Sequence, residues 1–515
     1  MLVKTYGSAV NGVDAMLITI EVNLGGSFGY VLVGLPDNAV RESRERVEAA
    51  IRNNAFEFPR GKLTLNMAPA DVRKEGAAYD LTIAVGILSV SGQINCAPEE
   101  LEQFIIMGEL SLDGSLRPIK GALPMAILAR KEKFKAILLP PENCSEAGIV
   151  DRIDVIPISN LSDAVGYLNG KISIPPVRID TRELFEHDSQ QFPIDFSDVR
   201  GQEHVKRSLE VAAAGGHNVI MVGPPGAGKS MLAKRVPTIM PPLTLQEALE
   251  TTKIHSVAGK ISTDQRGLVS HRPFRAPHHT ISDVALVGGG NHPQPGEISL
   301  AHNGVLFLDE LPEFKRTVLE VLRQPLEERQ IAIARAKFAI VYPANFMLVS
   351  SMNPCPCGYY NHPTKECICP SGAVHRYMSR ISGPLLDRID LHIEITPVDF
   401  EDLTNARKGE SSADIRKRVT AAREIQRARF TKLPGIHSNA MMESQVIREI
   451  CLIDKPSENL LKRAMTQLRL SARAYDRILK VSRTIADLAA CDRILPEHVA
   501  EAIQYRNLDR DGWGA

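Results

Sequence analysis

Strand-like and helix-like patterns of apolar and polar residues follow one another through the first third of the chain. Short runs that alternate or are continuously apolar predict strands. They are Ala15–Val22, Gly29–Val33 and Lys62–Asn66. The charged, periodic segment Asn38–Asn53 and the apolar segment Asp80–Ser91 predict helices. This order of elements predicts an α/β domain over residues 1–170.

A linker and a second α/β unit are predicted next. Residues 171–195 contain several prolines and charges with little periodicity, which is typical of an extended linker. A helix is predicted at Glu203–Gly215, and three apolar runs then predict buried strands. These runs are Asn218–Val222, Val305–Leu308 and Ala339–Ser351. We expect the second unit to cover residues 196–400.

The last part of the chain, residues 401–515, is predicted to be a helical domain. The helical segments are Asp414–Phe430, Glu443–Leu452, Pro456–Leu468, Ala472–Cys491 and Pro496–Tyr505. Six basic residues are spread around the first of them: Arg416, Lys417, Arg418, Arg423, Arg427 and Arg429. Such a distribution is typical of a solvated face or of salt bridges between subunits, and a DNA-binding surface is the alternative.

Composition narrows the class of protein. The chain has 515 residues, which favours about three domains. Lys+Arg and Asp+Glu both number 61, so any contact with nucleic acid must come from local basic surfaces. The start of the chain has no signal-peptide pattern, and no apolar run reaches the ~18 residues of a membrane span. We therefore expect a cytoplasmic protein without a membrane partner.

A phosphate-binding loop separates the strand Asn218–Val222 from the helix that begins near Met231. It is Gly223, Pro224, Pro225, Gly226, Ala227, Gly228, Lys229 and Ser230, and it fits G-x-x-x-x-G-K-[ST]. The glycines let backbone N–H groups turn toward phosphate, and the helix N-terminus adds a positive dipole end. Lys229 is expected to reach the β- and γ-phosphates of ATP, and Ser230 to bind Mg²⁺.

Two further strands end in polar residues suited to ATP hydrolysis. The run from Val305 ends in Asp309 and Glu310, the Walker B pattern. Asp309 is expected to hold Mg²⁺, and Glu310 to polarise the attacking water. Asn353 follows the third strand and could orient that water or touch the γ-phosphate. The alternative for Asn353 is an asparagine turn before proline.

Four cysteines follow Asn353 in two tight pairs. They are Cys355, Cys357, Cys367 and Cys369. Four thiolates within fifteen residues predict a tetrahedral Zn²⁺ site, although C-x-C departs from the commoner C-x-x-C spacing. Reduced structural thiols or a redox pair are the alternatives. A zinc ion here would staple the loop between Asn353 and Ala373.

Lys229 and Asp309 lie 80 positions apart, which leaves room for an insertion. Two of its segments, Arg272–Thr280 and Gly288–Gly296, are rich in Gly, Pro, His and Arg and predict a projecting loop. His278 and His279 have no carboxylate or cysteine spaced to complete a metal site. We interpret them as residues that anchor the loop or contact DNA.

These motifs, in this order, resemble magnesium-chelatase-like AAA+ ATPases of the YifB/ComM family. The resemblance implies a P-loop AAA+ module with an inserted loop that faces a ring channel and a C-terminal helical lid. It implies that Asn353 is sensor 1 and that Arg388 is an arginine finger for a neighbouring subunit. Arg380 competes for that role, and a salt bridge from Arg388 to Asp387 or Asp390 is the alternative. The resemblance also makes Arg473 sensor 2, with Arg469 and Arg477 as alternatives.

The N-terminal domain resembles the ribosomal-S5-like proteolytic domain of Lon-type proteases. The matching phrases are Asn66–Asp71, Glu75–Leu81 and Gly108–Ile119. That family uses a Ser–Lys dyad. No serine lies in Glu75–Leu81, and Leu123 stands where the lysine is expected, with Lys120 on the other side of Gly121. Without a nucleophile and its base, we expect no peptidase activity.

The family resemblance implies a ring, expected to be a hexamer, that hydrolyses ATP with Mg²⁺ and translocates along branched or single-stranded DNA. Branch migration during recombination in natural transformation is the expected role. The alternative is a chelatase-like or remodelling ATPase that acts on protein partners.

Overall fold

The structure is a computed structural model and describes most of the chain. The described residues are 2–72, 74, 76–181, 192–261, 267–290, 293–335, 338–362, 364–397, 409–433, 435–468 and 470–506. Arg469, Glu75 and parts of the predicted linker and of the Gly288–Gly296 segment lie outside them. Within the described residues, no helix is both long and apolar enough to cross a bilayer.

The strands are numbered along the chain. They are β1 Leu2–Asn11, β2 Asp14–Gly25, β3 Gly29–Val33, β4 Lys62–Ala68, β5 Phe104–Ile106, β6 Glu109–Leu110, β7 Leu116–Arg117, β8 Ala136–Leu139, β9 Asp154–Pro157, β10 Val219–Val222, β11 Phe274–Arg275, β12 Gly288–Gly289, β13 Gln294–Pro295, β14 Val305–Leu308, β15 Gln330–Arg335, β16 Phe338–Pro343, β17 Met347–Met352 and β18 Leu391–Glu394.

The helices are named by their bounds. They are Asn38–Arg41, Ser43–Asn53, Asp80–Val90, Pro98–Leu101, Ala122–Lys131, Pro141–Ala147, Leu161–Leu168, Glu203–Gly215, Lys229–Ile239, Leu245–Ala258, Asp283–Val287, Glu297–Leu300, Arg316–Glu320, Arg323–Glu328, Ala373–Met378, Gly383–Leu386, Ser412–Phe430, Ser444–Ile450, Lys455–Gln467, Ala472–Leu488 and Pro496–Gln504. Short 3₁₀ turns lie at Phe196–Asp198, Leu311–Glu313 and Asn439–Met441.

The chain forms two compact units, and the first contains a segment from the middle of the sequence. This first unit comprises Met1–Asp188, Leu245–Ser270 and Pro293–Pro295. Its sheet has the strand order β3-β4-β2-β1-β5-β8-β9. The helix Asp80–Val90 is buried along its whole length and packs on β1 and β2, because its residues are apolar on every side.

The helix Leu245–Ala258 belongs to the first unit, although its sequence lies between the phosphate loop and Walker B. Its Ser256 carbonyl accepts from the Gly121 amide at 3.1 Å, and the Ser256 hydroxyl accepts from the Leu123 amide at 3.4 Å. Lys253 pairs with Asp14 at 3.4 Å. The inserted helix therefore packs against the start of the helix Ala122–Lys131.

The second unit comprises Ser189–Thr244, His271–His292 and Gly296–Ala515. Its five-stranded sheet has the order β11-β14-β17-β10-β18, and every pair in it is parallel. The strands β10 and β14 are short and continuously apolar, as expected for strands covered on both faces. In a parallel sheet the loops that follow the strands meet at one edge, and the loops after β10, β14 and β17 carry the predicted site.

Helices of the C-terminal region pack into the core of this same unit. Ile415, Val419, Ile478 and Ile485 are buried together with residues of the sheet and of the helix Glu203–Gly215. The prediction of a mixed α/β fold with a C-terminal helical region is confirmed.

Three predicted elements differ from the structure. The predicted helix Asn38–Asn53 is two helices, the first capped by Asp37, whose carboxylate accepts from the Val40 amide at 2.8 Å. The predicted strand Ala339–Ser351 is divided at Pro343, because its first half pairs with β15 in a separate hairpin. The predicted projecting loop at Arg272–Thr280 was wrong for Phe274 and Arg275, which form the edge strand β11.

Arg272 and Arg275 explain why that segment is held close to the sheet. Arg272 donates to the carbonyls of Pro241 at 2.6 Å and Asn303 at 2.7 Å. Arg275 makes a two-pronged ion pair with Glu297 at 2.6 and 2.7 Å. Arginines that could have reached a partner are therefore committed within the second unit.

Candidate nucleotide site

The phosphate loop connects the end of β10 to the helix that begins at Lys229. Gly226 and Gly228 have φ angles of 81° and 83°, in the left-handed region that favours glycine. Glycine at these two positions lets the loop turn tightly before the helix begins. The first amides of the helix Lys229–Ile239 have no partners within the helix, so they are available to an anion.

The ammonium of Lys229 lies inside the turn of the loop. It donates to the carbonyls of Gly223 at 2.6 Å and Pro224 at 2.9 Å, and to Oδ1 of Asn353 at 3.0 Å. Burial lowers the pKa of Lys229, although the carboxylates of Asp309 and Glu310 oppose the shift. These contacts connect the phosphate loop to the end of β17 through one side chain.

Asp309 is held by two hydroxyl groups from different strand ends. The Ser230 hydroxyl donates to Oδ2 of Asp309 at 2.6 Å, and the Ser351 hydroxyl donates to Oδ1. The parallel pairing of β14 with β17 places Leu308 opposite Ser350, so the residues that follow lie side by side. Ser351 was not predicted from the sequence, and its signal was its position at the end of the strand beside Walker B.

Glu310 has a left-handed backbone, with φ at 53°, which is uncommon for a residue with a side chain. One of its carboxylate oxygens lies 3.6 Å from Nδ1 of His279. The ring of His279 lies at a tilt of 35° to that of His278, with ring centroids 4.1 Å apart, and meets the edge of Phe314. Anchoring or DNA contact was predicted for these histidines, and the structure places His279 beside Glu310.

One open cavity of about 390 Å³ brings these groups together. It is lined by Pro225, Gly226, Ala227, Gly228, Lys229, Ser230, Met231, Asp309, Glu310, Ser351, Met352 and Asn353. The loop amides and the Lys229 ammonium suit a polyphosphate. The Ser230 hydroxyl beside the Asp309 carboxylate offers the hard oxygen ligands that Mg²⁺ prefers. The residues present therefore fit ATP with Mg²⁺.

Arg388 and Arg473 are absent from the residues that line this cavity. Arg388 is only 8% exposed; its guanidinium pairs with Glu327 at 2.5 Å and donates to the Pro384 carbonyl at 2.6 Å. Neither of the expected carboxylates, Asp387 or Asp390, is its partner. Arg473 is largely exposed and pairs with Asp387 at 3.0 Å.

Arg380 and Arg477, the alternatives to those two arginines, also pair within the chain. Arg380 pairs with Glu313 at 3.1 Å, and Arg477 with the buried Asp390 at 2.7 Å.

Asp390 joins the phosphate-loop strand to the helical region. It is 1% exposed and accepts from the amide of Asn218 at 3.0 Å, and the His217 ring lies 3.5 Å away. Burial favours the neutral acid, but Arg477 and His217 outweigh it and hold the pKa of Asp390 far below its usual range. This carboxylate therefore ties the start of β10 to the helix Ala472–Leu488, a contact that sequence reasoning missed.

The four cysteines predicted to cluster do so. The Sγ of Cys355 lies 3.3 Å from that of Cys357 and 3.7 Å from that of Cys367, and the Sγ atoms of Cys357 and Cys367 are 3.6 Å apart. With Cys369, all four lie within 4.8 Å of one another. Desolvation acts to raise the pKa of Cys357, but the amide of Tyr359 and the thiol of Cys355 lower it to about 6. The cluster is compatible with a tetrahedral metal ion.

Comparison with known proteins identifies the family. Three family models cover most of the chain: "Magnesium chelatase, subunit ChlI" over residues 195–403, "Subunit ChlI of Mg-chelatase" over 19–143 and "Magnesium chelatase, subunit ChlI C-terminal" over 409–506. The chain is 44% identical over 515 residues to Competence protein ComM of Haemophilus influenzae, covering 99% of this chain and 98% of that protein. It is 44% identical over 508 residues to YifB of Escherichia coli, covering 98% and 96%.

The chain belongs to the magnesium-chelatase-like ComM/YifB family. Its second unit is accordingly an AAA+ module, with the strand order and the phosphate loop described above. The chain is also 28% identical over 160 residues to Lon protease 2 of Bacillus subtilis, a match that covers 28% of each chain. The resemblance of the N-terminal domain to Lon-type proteases is thus borne out.

In this ComM/YifB-family chain an apolar side chain occupies the position where the dyad lysine is expected. Leu123 is fully buried, and the inserted helix covers its backbone through Ser256. Glu146 is buried beside them and accepts from the side-chain amide of Asn143 at 2.8 Å. Ala77, Ala78 and Tyr79 occupy the segment in which the serine is expected.

Three of the six basic residues of the helix Ser412–Phe430 pair or bond within the chain. Arg418 pairs with Glu210 at 2.5 Å and with Glu410. Arg423 donates to the Ala213 carbonyl at 2.9 Å, and Arg429 pairs with Asp487. The expected partners were solvent, neighbouring subunits or DNA, and these three arginines instead join this helix to its own unit.

Proposed function

We propose that this protein is a ring-forming AAA+ ATPase that couples ATP hydrolysis to movement along DNA, as a branch-migration helicase in recombination. The observation that carries the ATPase is the cavity where the ends of β10, β14 and β17 bring Lys229, Asp309, Glu310 and Asn353 together. The observation that favours DNA is near full-length similarity to a relative named a competence protein. We propose natural transformation as the setting.

Each residue of the cavity has a role that follows from its place. The loop amides and Lys229 bind the phosphates and neutralise their charge. Ser230 and Asp309 would hold Mg²⁺, which supplies charge stabilisation for the leaving phosphates when bound. Glu310 accepts the proton of the attacking water, and Asn353 orients that water. His279 holds the Glu310 carboxylate in place.

Completion of the site needs a second subunit in this proposal. Arg388 would leave its pairing with Glu327 and stabilise transition-state charge in the neighbour's cavity, as an arginine finger does. Arg473, on the exposed start of the helix Ala472–Leu488, would contact the γ-phosphate of its own subunit after the helices close. A ring, proposed to be a hexamer, supplies identical seams of this kind.

The four-cysteine cluster holds Zn²⁺, since four thiolates at these distances suit that ion. The Lon-like domain cleaves no peptide, since Leu123 and Ala77 to Tyr79 offer neither a lysine amine nor a serine hydroxyl.

The test is ATP turnover by the full-length protein with duplex, forked, branched and single-stranded DNA, while the oligomer is sized in parallel. We expect branched or single-stranded DNA to raise turnover several-fold and to be unwound or migrated. If no DNA changes ATP turnover in an assembled oligomer, the DNA motor is wrong and the ATPase remains.

A protein-remodelling or chelatase-type ATPase is the second candidate. The three matching family models, all of magnesium-chelatase subunits, favour it. It predicts ATP turnover that is indifferent to every DNA structure and that rises with a protein partner captured by a Glu310→Gln variant held in the ATP-bound state.

A further inference from the structure

The sulfur geometry of the four-cysteine cluster matches a single tetrahedral ion. Four thiolates at the ~2.3 Å Zn–S distance are separated from one another by roughly 3.8 Å. The separations among the Cys355, Cys357 and Cys367 sulfurs are 3.3, 3.6 and 3.7 Å, and the Cys369 sulfur lies within 4.8 Å of the others. The Tyr360 amide also donates to the Cys355 sulfur at 3.3 Å, as expected for a thiolate that ligates a metal.

The loop that carries the cysteines has little else to hold its outer half. Cys355 and Gly358 are buried, but Ile368, between the last two cysteines, is 84% exposed. Apart from the cysteines, the described residues from Glu366 to Ser371 are exposed. Burial of apolar surface cannot fix this half of the loop, so the sulfur cluster must.

This loop packs against the phosphate loop. A Cβ atom placed on Gly358 would lie 2.5 Å from Cδ and 3.2 Å from Cγ of Pro225. The turn at Gly358 is closed by its amide, which donates to the Cys355 carbonyl at 3.0 Å. The ring of a proline includes its own backbone nitrogen. A contact with the Pro225 ring therefore constrains the backbone of the phosphate loop.

A second connection runs through Asn353. Cys355 follows Asn353 by two residues, and the Asn353 side chain accepts from the Lys229 ammonium at 3.0 Å. Residues next to the cysteines therefore contact the phosphate loop at two places, Gly358 at Pro225 and Asn353 at Lys229.

We propose that the four cysteines form a structural Zn²⁺ site that braces the phosphate loop, so that metal loading controls the affinity for ATP. The inference rests on the proposed ATP site and on Zn²⁺ as the proposed ion, and it is independent of DNA. Removal of the ion frees the Gly358 turn, and Pro225 and Asn353 lose the support that keeps the loop open for phosphate.

The first experiment measures metal and nucleotide on the same full-length protein. Purified protein should contain stoichiometric zinc, and Co²⁺ in its place should give the absorption of a tetrahedral tetrathiolate site. Removal of zinc by a chelator should weaken the binding of a fluorescent ATP analogue, and readdition of Zn²⁺ should restore it. Purified protein that binds ATP without metal at the cluster overturns the inference and leaves the ATPase standing.

The second experiment separates the brace from the fold of the loop. Gly358→Ala puts a methyl group into Pro225 and should weaken ATP binding by on the order of tenfold while zinc stays bound. Gly372→Ala is the matched control, because Gly372 also has a positive φ, 73° against 86°, but nothing lies within 4 Å of its Cβ position. Both substitutions carry the backbone cost of a left-handed alanine, and only the first touches the phosphate loop.

Each pattern of results decides the inference. Weaker ATP binding in Gly358→Ala with normal binding in Gly372→Ala supports the brace. Equal affinities in both variants and the parent overturn it. If the parent protein holds zinc but binds no ATP, both the inference and the proposed ATPase are wrong. The measurement on the parent protein alone identifies this outcome.

Discussion

At the scale of single residues, the proposed hydrolysis depends on Glu310. It follows Asp309 at the end of β14, its backbone is left-handed, and its side chain is 57% exposed toward the cavity. The amide of Glu310 donates to Oδ1 of Asp309 at 3.0 Å. Asp309 is occupied by hydroxyl groups, and Glu310 remains available to a water molecule.

Glu310→Gln should abolish hydrolysis and keep ATP bound. The amide cannot take the proton of the attacking water, so kcat should fall by about 10²–10⁴ with the Kd for ATP little changed. Steady-state turnover and equilibrium binding of ATP check this expectation. Glu313→Gln is the control, since Glu313 pairs with Arg380 on the adjacent turn and does not line the cavity. Normal turnover in Glu310→Gln would falsify this role.

His279 is expected to position Glu310. His279→Ala removes the ring that lies 3.6 Å from the Glu310 carboxylate, and the side chain gains freedom before the reaction. We expect kcat to fall by roughly tenfold with the KM for ATP unchanged, because His279 does not touch the phosphate loop. The neighbouring His278→Ala is the comparison, since His278 bonds Thr280 at 3.0 Å. Turnover equal to the parent in His279→Ala would remove the positioning role.

Residues of this site could be predicted from the sequence where they belong to a motif whose residue types have a chemical explanation. The phosphate loop, Asp309, Glu310, Asn353 and the cysteines were predicted from type and order, and the structure brings them together. His279 and Ser351 were not assigned to the site, because their places depend on how separate strands align. Strand register is a property of the assembled sheet and has no local signal in the chain.

At the scale of elements, buried charge joins the AAA+ sheet to the helix Ala472–Leu488. Asp390 at the start of β18 binds the amide of Asn218 and the guanidinium of Arg477. His217 bridges to the same helix through its 2.8 Å contact with Thr484. This helix is therefore joined to the strand that carries the phosphate loop.

Asp390→Asn should destabilise the second unit strongly. It leaves Arg477 and the buried Lys480 without a compensating charge, which costs about 3–5 kcal/mol. Thermal or urea unfolding of the variant and the parent checks this. Asp387→Asn is the matched control, because the Asp387–Arg473 pair is exposed and should cost at most about 1 kcal/mol. Similar losses in the two variants would contradict the expectation.

The same carboxylate gives an acid dependence with a definite sign. Its pKa is lowered in the folded protein, so the unfolded chain takes up the proton at a higher pH. The stabilisation is fully present above the ordinary aspartate pKa of about 4 and is lost as the pH falls below it. Between about pH 5 and pH 3 the parent should therefore lose more stability than Asp390→Asn. An equal loss in both would show that Asp390 does not contribute.

Element boundaries were predictable where the apolar pattern is unbroken. The strand Gly29–Val33 and the helix Asp80–Val90 match the predicted segments to within a residue. The β15–β16 hairpin was missed because β16 was predicted to form one continuous strand with β17. The helix Leu245–Ala258 was missed because it lies within a stretch that was interpreted as an irregular insertion. Tertiary pairing decided the hairpin, and it overrides local preference.

At the scale of the whole molecule, the proposed ring makes the active site a property of two subunits. Arg388→Ala should lower kcat by about 10³–10⁵ in assembled protein without loss of ATP binding. Lys229→Ala should lose ATP binding but keep its Arg388. Mixed rings of the two inactive variants should regain activity, because roughly a quarter of the seams in an equal mixture join an intact Lys229 to an intact Arg388.

Mixing also separates Arg388 from its competitor. Arg380 lies beside its own Glu313, so Arg380→Ala should retain much of its turnover and should gain little from Lys229→Ala subunits. A mixture of Arg388→Ala and Lys229→Ala that assembles and stays inactive would show that Arg388 does not act across a seam.

The helix Leu245–Ala258 has a practical consequence for shortened versions of this protein. A chain that is cut at the linker and expressed from residue 196 onward would still carry this helix. It would lack Gly121 and Leu123, whose amides donate hydrogen bonds to Ser256. Apolar residues such as Ile254 and Val257, now buried, would face water and favour aggregation. A stand-alone ATPase fragment therefore requires replacement of residues 245–270 as well as removal of the N-terminal domain.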